Sequence, residues 1–227
     1  MYHTAGLGTR LAPLPGSEGN NKPGVKLPGL MQVGERQEAM TVLEGVIRQT
    51  SIYSTGRGGR LSVFWGDQLF VPSRRPPARA THHADILCRL GGMPDEAAWK
   101  VRGLDRYGLL AVNSRGDAAQ LEKISYAEAR RLVDGALVSI SGGIGVSLGS
   151  FSLSHEILTG LVAEFAPELQ ARQGKFDSDP HFWMAMSLDP ETYVALMVRK
   201  GEAAPQALAH YQRMQRFATQ LQAAHPH

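Results

Sequence analysis

Segments typical of strands alternate along this chain with segments that begin like helices, and this order limits the folds it can adopt. Two helix starts carry a capping box, Thr41-Val-Leu-Glu44 and Ser125-Tyr-Ala-Glu128, in which a hydroxyl and a carboxylate satisfy free backbone N–H groups. Apolar segments at 61–65, 84–90, 107–113 and 118–124 have the length and composition of strands. The alternation predicts an α/β fold with a mixed, mainly parallel sheet flanked by helices.

The same patterns predict where several elements begin and end. A helix is expected from about Thr41 to Tyr53, and a second from Ser125 to about Val133. The turn Ser114–Asp117 predicts a hairpin, and residues 136–151 predict two strands separated by glycines. A final amphipathic helix is expected from about Ala204, packing on the chain's own core through one face: Leu208, Tyr211, Met214, Phe217 and Leu221.

Composition excludes some classes of partner. With 227 residues and a net charge of only +3, the chain has no broad basic field, which argues against nucleic acid or a membrane surface as its ligand. Its single cysteine, Cys88, cannot form a disulfide within the chain. The sequence contains no signal peptide and no apolar segment of bilayer length, so we expect a cytoplasmic protein with no membrane partner.

The glycine-rich segment AGLGTRLAPLPGSEGNNKP, from Ala5 to Pro23, begins a connection that is predicted to run from Ala5 to Gly29, which is unusually long inside a compact domain. It lacks the third glycine of a dinucleotide fingerprint, because Leu11 stands there, and no Gly-Lys-Ser/Thr follows as in a Walker loop. Glycine backbone N–H groups can approach an anion closely, which favours a phosphate-binding segment. The alternative from the residues alone is a surface loop whose charges are solvated.

The segment resembles the signature loop of the sugar-phosphate nucleotidyltransferases, the pyrophosphorylases that make nucleotide sugars. That signature is approximately A-G-G-x-G-T-R-L-x-P-L, then K-P and a later L-P. The residues that match it are Gly6, Gly8, Thr9, Arg10, Leu11, Pro13, Leu14, Lys22, Pro23, Leu27 and Pro28. Because Gly24-Val25-Lys26 lengthens the stretch before Leu-Pro, Lys26 is a second candidate for the catalytic lysine, and Lys22 is preferred.

The resemblance continues in family order along the chain. SVFWGDQLF is similar to the family's strand ending in Gly-Asp, whose aspartate binds magnesium, and this position is Asp67. DRYGLLAVNSRGDAAQLEK is similar to the family's R-Y-G, strand, turn, strand, E-K segment, which places Glu122 and Lys123 at the sugar phosphate. Ser141–Val146, which includes Gly143, stands where the family has N-A-G-I-Y-V against the sugar.

The resemblance implies a Rossmann-like fold of the nucleotide-diphospho-sugar transferase type and a Mg²⁺-dependent reaction between a nucleoside triphosphate and a sugar 1-phosphate. In it, Ala5, Gly6, Leu7, Gly8 and Thr9 hold the triphosphate, and Arg10 and Lys22 neutralise the reacting phosphates. Asp67 binds the metal, while Glu122, Lys123 and Gly143 hold the sugar phosphate. Such a reaction needs alignment and charge neutralisation rather than a covalent nucleophile.

Two other functions stay open at the level of the sequence. No second metal aspartate in a W-x-D-x-G pattern follows, so a domain that binds nucleotide without turnover is one alternative. Asp177-Ser-Asp179 offers a D-x-D motif, which would suit a nucleotide-sugar-dependent glycosyltransferase. We expect one nucleotidyltransferase-like domain over residues 1–227, shortened relative to the family at one or both ends. The base, the sugar and the oligomeric state are not predicted.

Overall fold

The computed structural model describes residues 1–4, 21–53, 57–69, 82–172 and 178–225. The chain forms two compact units. The first consists of Met1–Asp85 with Ser150–His155, and the second of Ile86–Gly149 with Glu156–His227. The single nucleotidyltransferase-like domain expected over residues 1–227 stays a prediction.

The first unit combines a short parallel strand pair with a hairpin and a helix. Its elements are β1 (Tyr2–His3), β2 (Lys26–Val33), β3 (Arg36–Thr41), α1 (Val42–Thr50) and β4 (Arg60–Trp65), with 3₁₀ turns at Lys22–Gly24 and Ser51–Tyr53. β1 pairs in parallel with β4, with Tyr2 opposite Phe64. β4 also pairs antiparallel with the end of β8 (Gly143–Ser154), where Leu61 lies opposite Leu153.

Helix α1 forms where the sequence predicts it, and its capping box is confirmed. The Thr41 hydroxyl accepts from the Glu44 N–H at 3.2 Å, and a Glu44 carboxylate oxygen accepts from the Thr41 N–H at 2.7 Å. Val46, on the inner face of the helix, is fully buried. The ring of Phe64 lies 5.9 Å from that of Tyr2 and 6.0 Å from that of Tyr53, so aromatic packing joins the 3₁₀ turn after α1 to both strands.

The hairpin of β2 and β3 corrects the prediction that one connection runs from Ala5 to Gly29. The chain enters β2 at Lys26, and Gly34, with φ +59°, lies in the turn to β3. The register shifts between Lys26 and Leu30, a stretch that contains Pro28, whose nitrogen has no hydrogen for a strand ladder. Proline and glycine at these positions gave β2 the composition of a loop, which is why the sequence did not reveal it.

The second unit contains most of the described helices. Its elements are β5 (Ala84–Gly91, which begins in the first unit), α2 (Glu96–Arg102), β6 (Gly108–Val112), β7 (Ala118–Glu122), α3 (Tyr126–Asp134), α4 (His155–Glu164), α5 (Ala166–Ala171), α6 (Ala185–Ser187), α7 (Pro190–Arg199) and α8 (Ala204–Ala224), together with a 3₁₀ turn at Leu104–Arg106 and a π-helix at Ser178–Met184. Strand β8 contributes its first residues to this unit and its last residues to the other.

Apart from the β2–β3 hairpin, which is a two-stranded sheet of its own, the described strands form a mixed sheet that is mostly antiparallel, so the mainly parallel arrangement is not confirmed. β6 runs antiparallel to β7, with Gly108 opposite Glu122, and antiparallel to β8, with Leu110 opposite Gly145. β5 also pairs with β8. The predicted hairpin between β6 and β7 is confirmed. A turn this short can join only antiparallel neighbours, because parallel neighbours need a crossover of a dozen residues or more.

The stretch after α3 corrects a second prediction. Helix α3 and its Ser125 capping box are confirmed. The strand expected in the first half of residues 136–151 is wrong, because the N–H groups of Leu137 and Val138 donate back to the carbonyl of Leu132 at 2.9 and 3.2 Å and close the helix end. Ala136 in this turn has φ +57°, which is incompatible with a strand. The second half of the segment is β8.

The final helix is confirmed from Ala204, with one change in the face that it buries. Met214 and Phe217 are buried as predicted, whereas Leu208 is 40% exposed and Ala207 takes the inner position. The core of the unit is built from large apolar side chains of strands and helices: Trp99, Leu109, Leu121, Ile124, Leu132, Met184, Tyr193 and Met197. The burial of such side chains makes the largest favourable contribution to the folding free energy of a domain of this kind.

Candidate functional site

The turn that follows β4 presents Asp67 next to the end of β1. The Gly66 N–H donates to the carbonyl of His3 at 2.9 Å. A Cβ at Gly66 would lie 3.0 Å from Thr4 Cγ2 and 3.2 Å from Leu43 Cδ1, so the close approach of β1 and α1 favours glycine here. Asp67 therefore lies at the carboxyl ends of two parallel strands, where ligands bind in open α/β sheets.

Lys22 contacts this aspartate. Its Nζ lies 3.2 Å from Asp67 Oδ2, and the two side chains are 39% and 24% exposed. An ion pair this exposed stabilises a fold by only about 0–1 kcal/mol, so its removal should leave the fold intact. Thr4, which precedes the glycine-rich segment, and Lys22, near its end, both contact the Gly66–Asp67 turn or would meet a Cβ there.

The two candidate lysines differ in position. Lys26 is exposed in β2, opposite Thr41 of β3. Within the described part of the chain, Lys22 is the lysine that pairs with Asp67. The residues expected to cradle the triphosphate, which are Ala5, Gly6, Leu7, Gly8 and Thr9, together with Arg10, lie outside the described residues.

Asp67 has the chemistry of a magnesium ligand, although the described part of the chain groups few further ligands around any one point. Among the described residues no group of three or more His, Cys, Asp or Glu side chains could hold a metal ion. Magnesium in phosphoryl-transfer sites is commonly held by one or two carboxylates together with substrate phosphates and water. A single aspartate at the strand ends fits this mode of binding, in which the triphosphate supplies the remaining oxygens.

Glu122 and Lys123 form an ion pair at the end of β7, in the second unit. Lys123 Nζ lies 2.7 Å from Glu122 Oε1, and the side chains are 60% and 5% exposed. Lys123 has φ +53°, which turns the chain out of the strand, and its N–H donates to the Tyr107 carbonyl. The carboxylate is thus buried while the ammonium stays in water, where an anionic ligand can reach it.

The second carboxylate oxygen of Glu122 is buried without a hydrogen-bond partner among the described residues, and so is the side-chain oxygen of Gln120. Gln120 is 2% exposed and lies on the same face of β7 as Glu122. Gln120 is not among the site residues predicted from the sequence. The sequence feature that could have identified it is the pattern of β7, where Gln120 and Glu122 are two positions apart among apolar residues. Residues two apart in a strand lie on the same face of the sheet.

The glycines around Gly143 have an explanation in the backbone. A Cβ at Gly142 would lie 2.1 Å from the Asn113 carbonyl oxygen. Gly143 has φ +122°, and a Cβ there would meet the Gly91 oxygen at 2.7 Å. A Cβ at Gly145 would lie 2.7 Å from the sulfur of Cys88, whose pKa is raised by burial. Strand crowding therefore accounts for these glycines, and the expected contact of Gly143 with a sugar stays a prediction.

The predicted site residues divide between the two units. Lys22 and Asp67 belong to the first, whereas Glu122, Lys123 and Gly143 belong to the second. Of the D-x-D motif, Asp177 lies outside the described residues. Asp179 belongs to the π-helix, and its Oδ1 lies 3.4 Å from Gln120 Nε2.

No protein-family model, curated protein or solved structure matches the chain. In the described ranges, no helix combines the length and the hydropathy that a membrane crossing requires.

Proposed function

We propose that this protein is a sugar-1-phosphate nucleotidyltransferase with a fold of the nucleotide-diphospho-sugar transferase type. The observation that carries the proposal is the contact between Lys22 and Asp67 at the carboxyl ends of β1 and β4. A cation and a hard oxygen ligand brought together at this edge suit a triphosphate and its magnesium. The buried carboxylate of Glu122 beside the exposed ammonium of Lys123 suits the sugar and its phosphate.

In the proposed reaction, a phosphate oxygen of the sugar 1-phosphate attacks the α-phosphorus of the triphosphate. The bond to the β-phosphate oxygen breaks, and pyrophosphate leaves with that electron pair. Lys22 neutralises the charge of the two phosphates that approach each other, and Arg10 is assigned to the outer phosphates. Asp67 would hold Mg²⁺, which supplies Lewis-acid stabilisation of the phosphate oxygens when it is bound. Glu122 accepts from a sugar hydroxyl, and Lys123 binds the sugar's phosphate.

The test is a pyrophosphate-release screen with the four nucleoside triphosphates and common hexose 1-phosphates, with and without Mg²⁺. We expect release with one combination, and a fall of about 100-fold or more in kcat for Asp67→Asn and for Lys22→Met, because each variant loses a charge at the reacting phosphates. Both side chains are partly exposed, so the unfolding midpoints are expected to change little.

Matched controls come from exposed ion pairs with no assigned role. Lys100 pairs with Glu96 and Asp134 with Arg130, each at 2.7 Å within one helix. Lys100→Met and Asp134→Asn are expected to keep the activity of the unsubstituted protein. Unchanged pyrophosphate release in both Asp67→Asn and Lys22→Met would contradict the assigned roles.

Two other results of the same screen would replace the proposal. Binding of a triphosphate with measurable heat but no pyrophosphate from any pair would indicate a nucleotide-binding domain without turnover. Release of a nucleoside diphosphate from a nucleotide sugar would indicate a glycosyltransferase.

A further inference from the structure

Two buried acceptor atoms lie on one face of β7, and we call them the acceptor pair: Gln120 Oε1 and Glu122 Oε2. Gln120 is 2% exposed and Glu122 4% exposed. Neither atom has a hydrogen-bond partner among the described residues. Native proteins pair nearly all buried polar atoms, and an acceptor left without a donor costs folding free energy. Two such atoms on one face therefore indicate a ligand that brings its own donors.

The neighbouring strand is built to leave room for these side chains. Gly108 of β6 lies opposite Glu122. A Cβ at Gly108 would lie 2.6 Å from Gln120 Nε2 and 2.9 Å from Glu122 Oε2, and 3.5 Å from the Cβ of Ser147 on β8. Because Gly108 has no side chain, both polar side chains of β7 can lie across β6, next to the small side chain of Ser147 on β8.

The orientation of the Gln120 amide follows from its neighbour. Its Nε2 points to Asp179 Oδ1 at 3.4 Å, a long contact that nevertheless assigns the nitrogen, because a carboxylate can only accept. The oxygen is then the free atom. At Glu122, Oε1 is taken by Lys123 Nζ, which leaves Oε2 free.

The chemistry of the acceptor pair selects neutral donors. Two free acceptors repel a phosphate, so this part of the site does not hold the anion. The Lys123 ammonium already compensates the Glu122 carboxylate, which weakens the attraction for a cationic amine. Two neighbouring hydroxyl groups on one ring offer two O–H donors side by side and match both atoms.

We propose that Gln120 and Glu122 together bind two adjacent hydroxyl groups of the sugar, which makes Gln120 a specificity-determining residue. The inference rests on the proposed function, and it adds to it a second hydroxyl and the residue that recognises it. A site built to hydrogen-bond a hydroxyl rejects an analogue without it far more strongly than an apolar pocket does, because the buried acceptor then stays unpaired.

The experiment compares glucose 1-phosphate with the 1-phosphates of galactose, mannose and 2-deoxyglucose. Each of these three differs from glucose 1-phosphate at a single hydroxyl group. Binding is measured by calorimetry without nucleotide, and kcat/KM by pyrophosphate release. In the unsubstituted protein we expect the best and worst sugars to differ by about 100-fold or more. In Gln120→Leu, which removes the acceptor but keeps a similar volume, we expect that ratio to fall to about 10-fold or less.

Two further variants keep the result interpretable if Gln120→Leu unfolds. The added Cβ of Gly108→Ala comes within 3 Å only of the ends of the two flexible side chains of the acceptor pair, so the variant should fold and displace that pair, with the same loss of discrimination. Tyr193→Phe is the matched control, because it removes another buried polar atom without a partner, on α7, and should leave the sugar ratio unchanged.

The outcomes separate the inference from the proposed function. If pyrophosphate is released but Gly108→Ala and Gln120→Leu keep the sugar ratios of the unsubstituted protein, the inference fails and the function stands. If no pyrophosphate is released but these variants lose discrimination in binding, the function fails and the acceptor pair stands. No binding of any of the four sugar phosphates would overturn the inference.

Discussion

At the scale of single residues, the fold changes the pKa of His210 in a way that can be tested directly. Burial lowers its pKa below the usual range for histidine, and the nearby His181 ring and the positive charge of Arg213 act in the same direction. A hydrogen bond to the His181 carbonyl, at 2.7 Å, and the charge of Glu202 oppose the shift. Since a carbonyl only accepts, His210 Nε2 carries the hydrogen, and the folded state favours the neutral ring.

His210→Gln should reduce the dependence of stability on pH. In the unfolded chain a histidine titrates near a pKa of about 6.5. Because the folded pKa is lower, the unfolded state binds more protons in this window, and stability falls as the pH drops below about 6.5. Glutamine keeps an N–H donor for the His181 carbonyl but does not titrate. Urea unfolding at several pH values between 8 and 5 should therefore show a smaller decrease in the free energy of unfolding for the variant than for the unsubstituted protein.

Gln212, which is exposed on the same helix and does not titrate, provides the comparison for that measurement. Gln212→Ala should keep the pH profile of the unsubstituted protein. A profile for His210→Gln that is equally steep would contradict the assignment of this stability loss to His210.

At the scale of elements, helix ends connect the sequence to the fold most directly. Both predicted capping boxes form with the expected partners, one before α1 and one before α3. In the first box, hydrogen bonds from Thr41 lower the pKa of Glu44, so that carboxylate favours the folded state at neutral pH and loses this effect as acid protonates it. Arg213 of α8 reaches two acidic side chains, Glu164 at 2.7 Å and Glu168 at 2.5 Å, and so ties α8 to α4 and α5.

Ser125→Ala should lower the free energy of unfolding by about 1 kcal/mol, the usual cost of removing a serine cap. The Ser125 hydroxyl accepts from the Glu128 N–H at 3.2 Å, and alanine leaves this N–H without its partner in the first turn of α3. The measurement is the urea concentration at the unfolding midpoint, compared between variants whose m-value is unchanged. Ser114→Ala, in the exposed turn between β6 and β7, is the control and should stay within about 0.5 kcal/mol of the unsubstituted protein. Equal midpoints for both variants would show that the box adds no stability.

At the scale of the whole molecule, the residues assigned to the two substrates belong to different compact units. Lys22 and Asp67, assigned to the triphosphate, lie in the first unit, and Glu122 and Lys123, assigned to the sugar phosphate, lie in the second. The proposed reaction therefore divides substrate binding between two separately packed parts of the chain.

This division predicts that the binding of the two substrates can be weakened separately. Asp67→Asn should raise the Kd of the Mg²⁺-triphosphate about 10-fold or more, because it weakens the contact to the metal that the triphosphate shares, and leave that of the sugar 1-phosphate within about twofold. Glu122→Gln should show the reverse pattern. Calorimetric titration of each ligand alone measures both constants. A loss of both affinities in either variant, with the fold intact, would contradict the division.

The sequence by itself determined those features that depend on neighbours along the chain. The Thr41 and Ser125 capping boxes, the β6–β7 hairpin and the turns of the last helix rest on contacts within a few residues, and each formed as predicted. The strand before Asp67 also formed as predicted, because its apolar segment is visible in the sequence. Asp67 was selected because SVFWGDQLF resembles a family strand that ends in Gly-Asp, and its role as a metal ligand stays a prediction.

Tertiary structure decided what depends on contacts between distant residues. Whether strands pair parallel or antiparallel depends on which of them become neighbours, so the largely antiparallel pairing was not visible in the alternation of elements. Leu208 lost its core position to Ala207 because a helix buries the face that its neighbours cover. The contact of Lys22 with Asp67 joins residues 45 positions apart, and Gln120 became a candidate only because Gly108 of the next strand leaves room beside it. Local patterns encode elements and their ends, whereas a site is made by side chains that only the packed fold brings together.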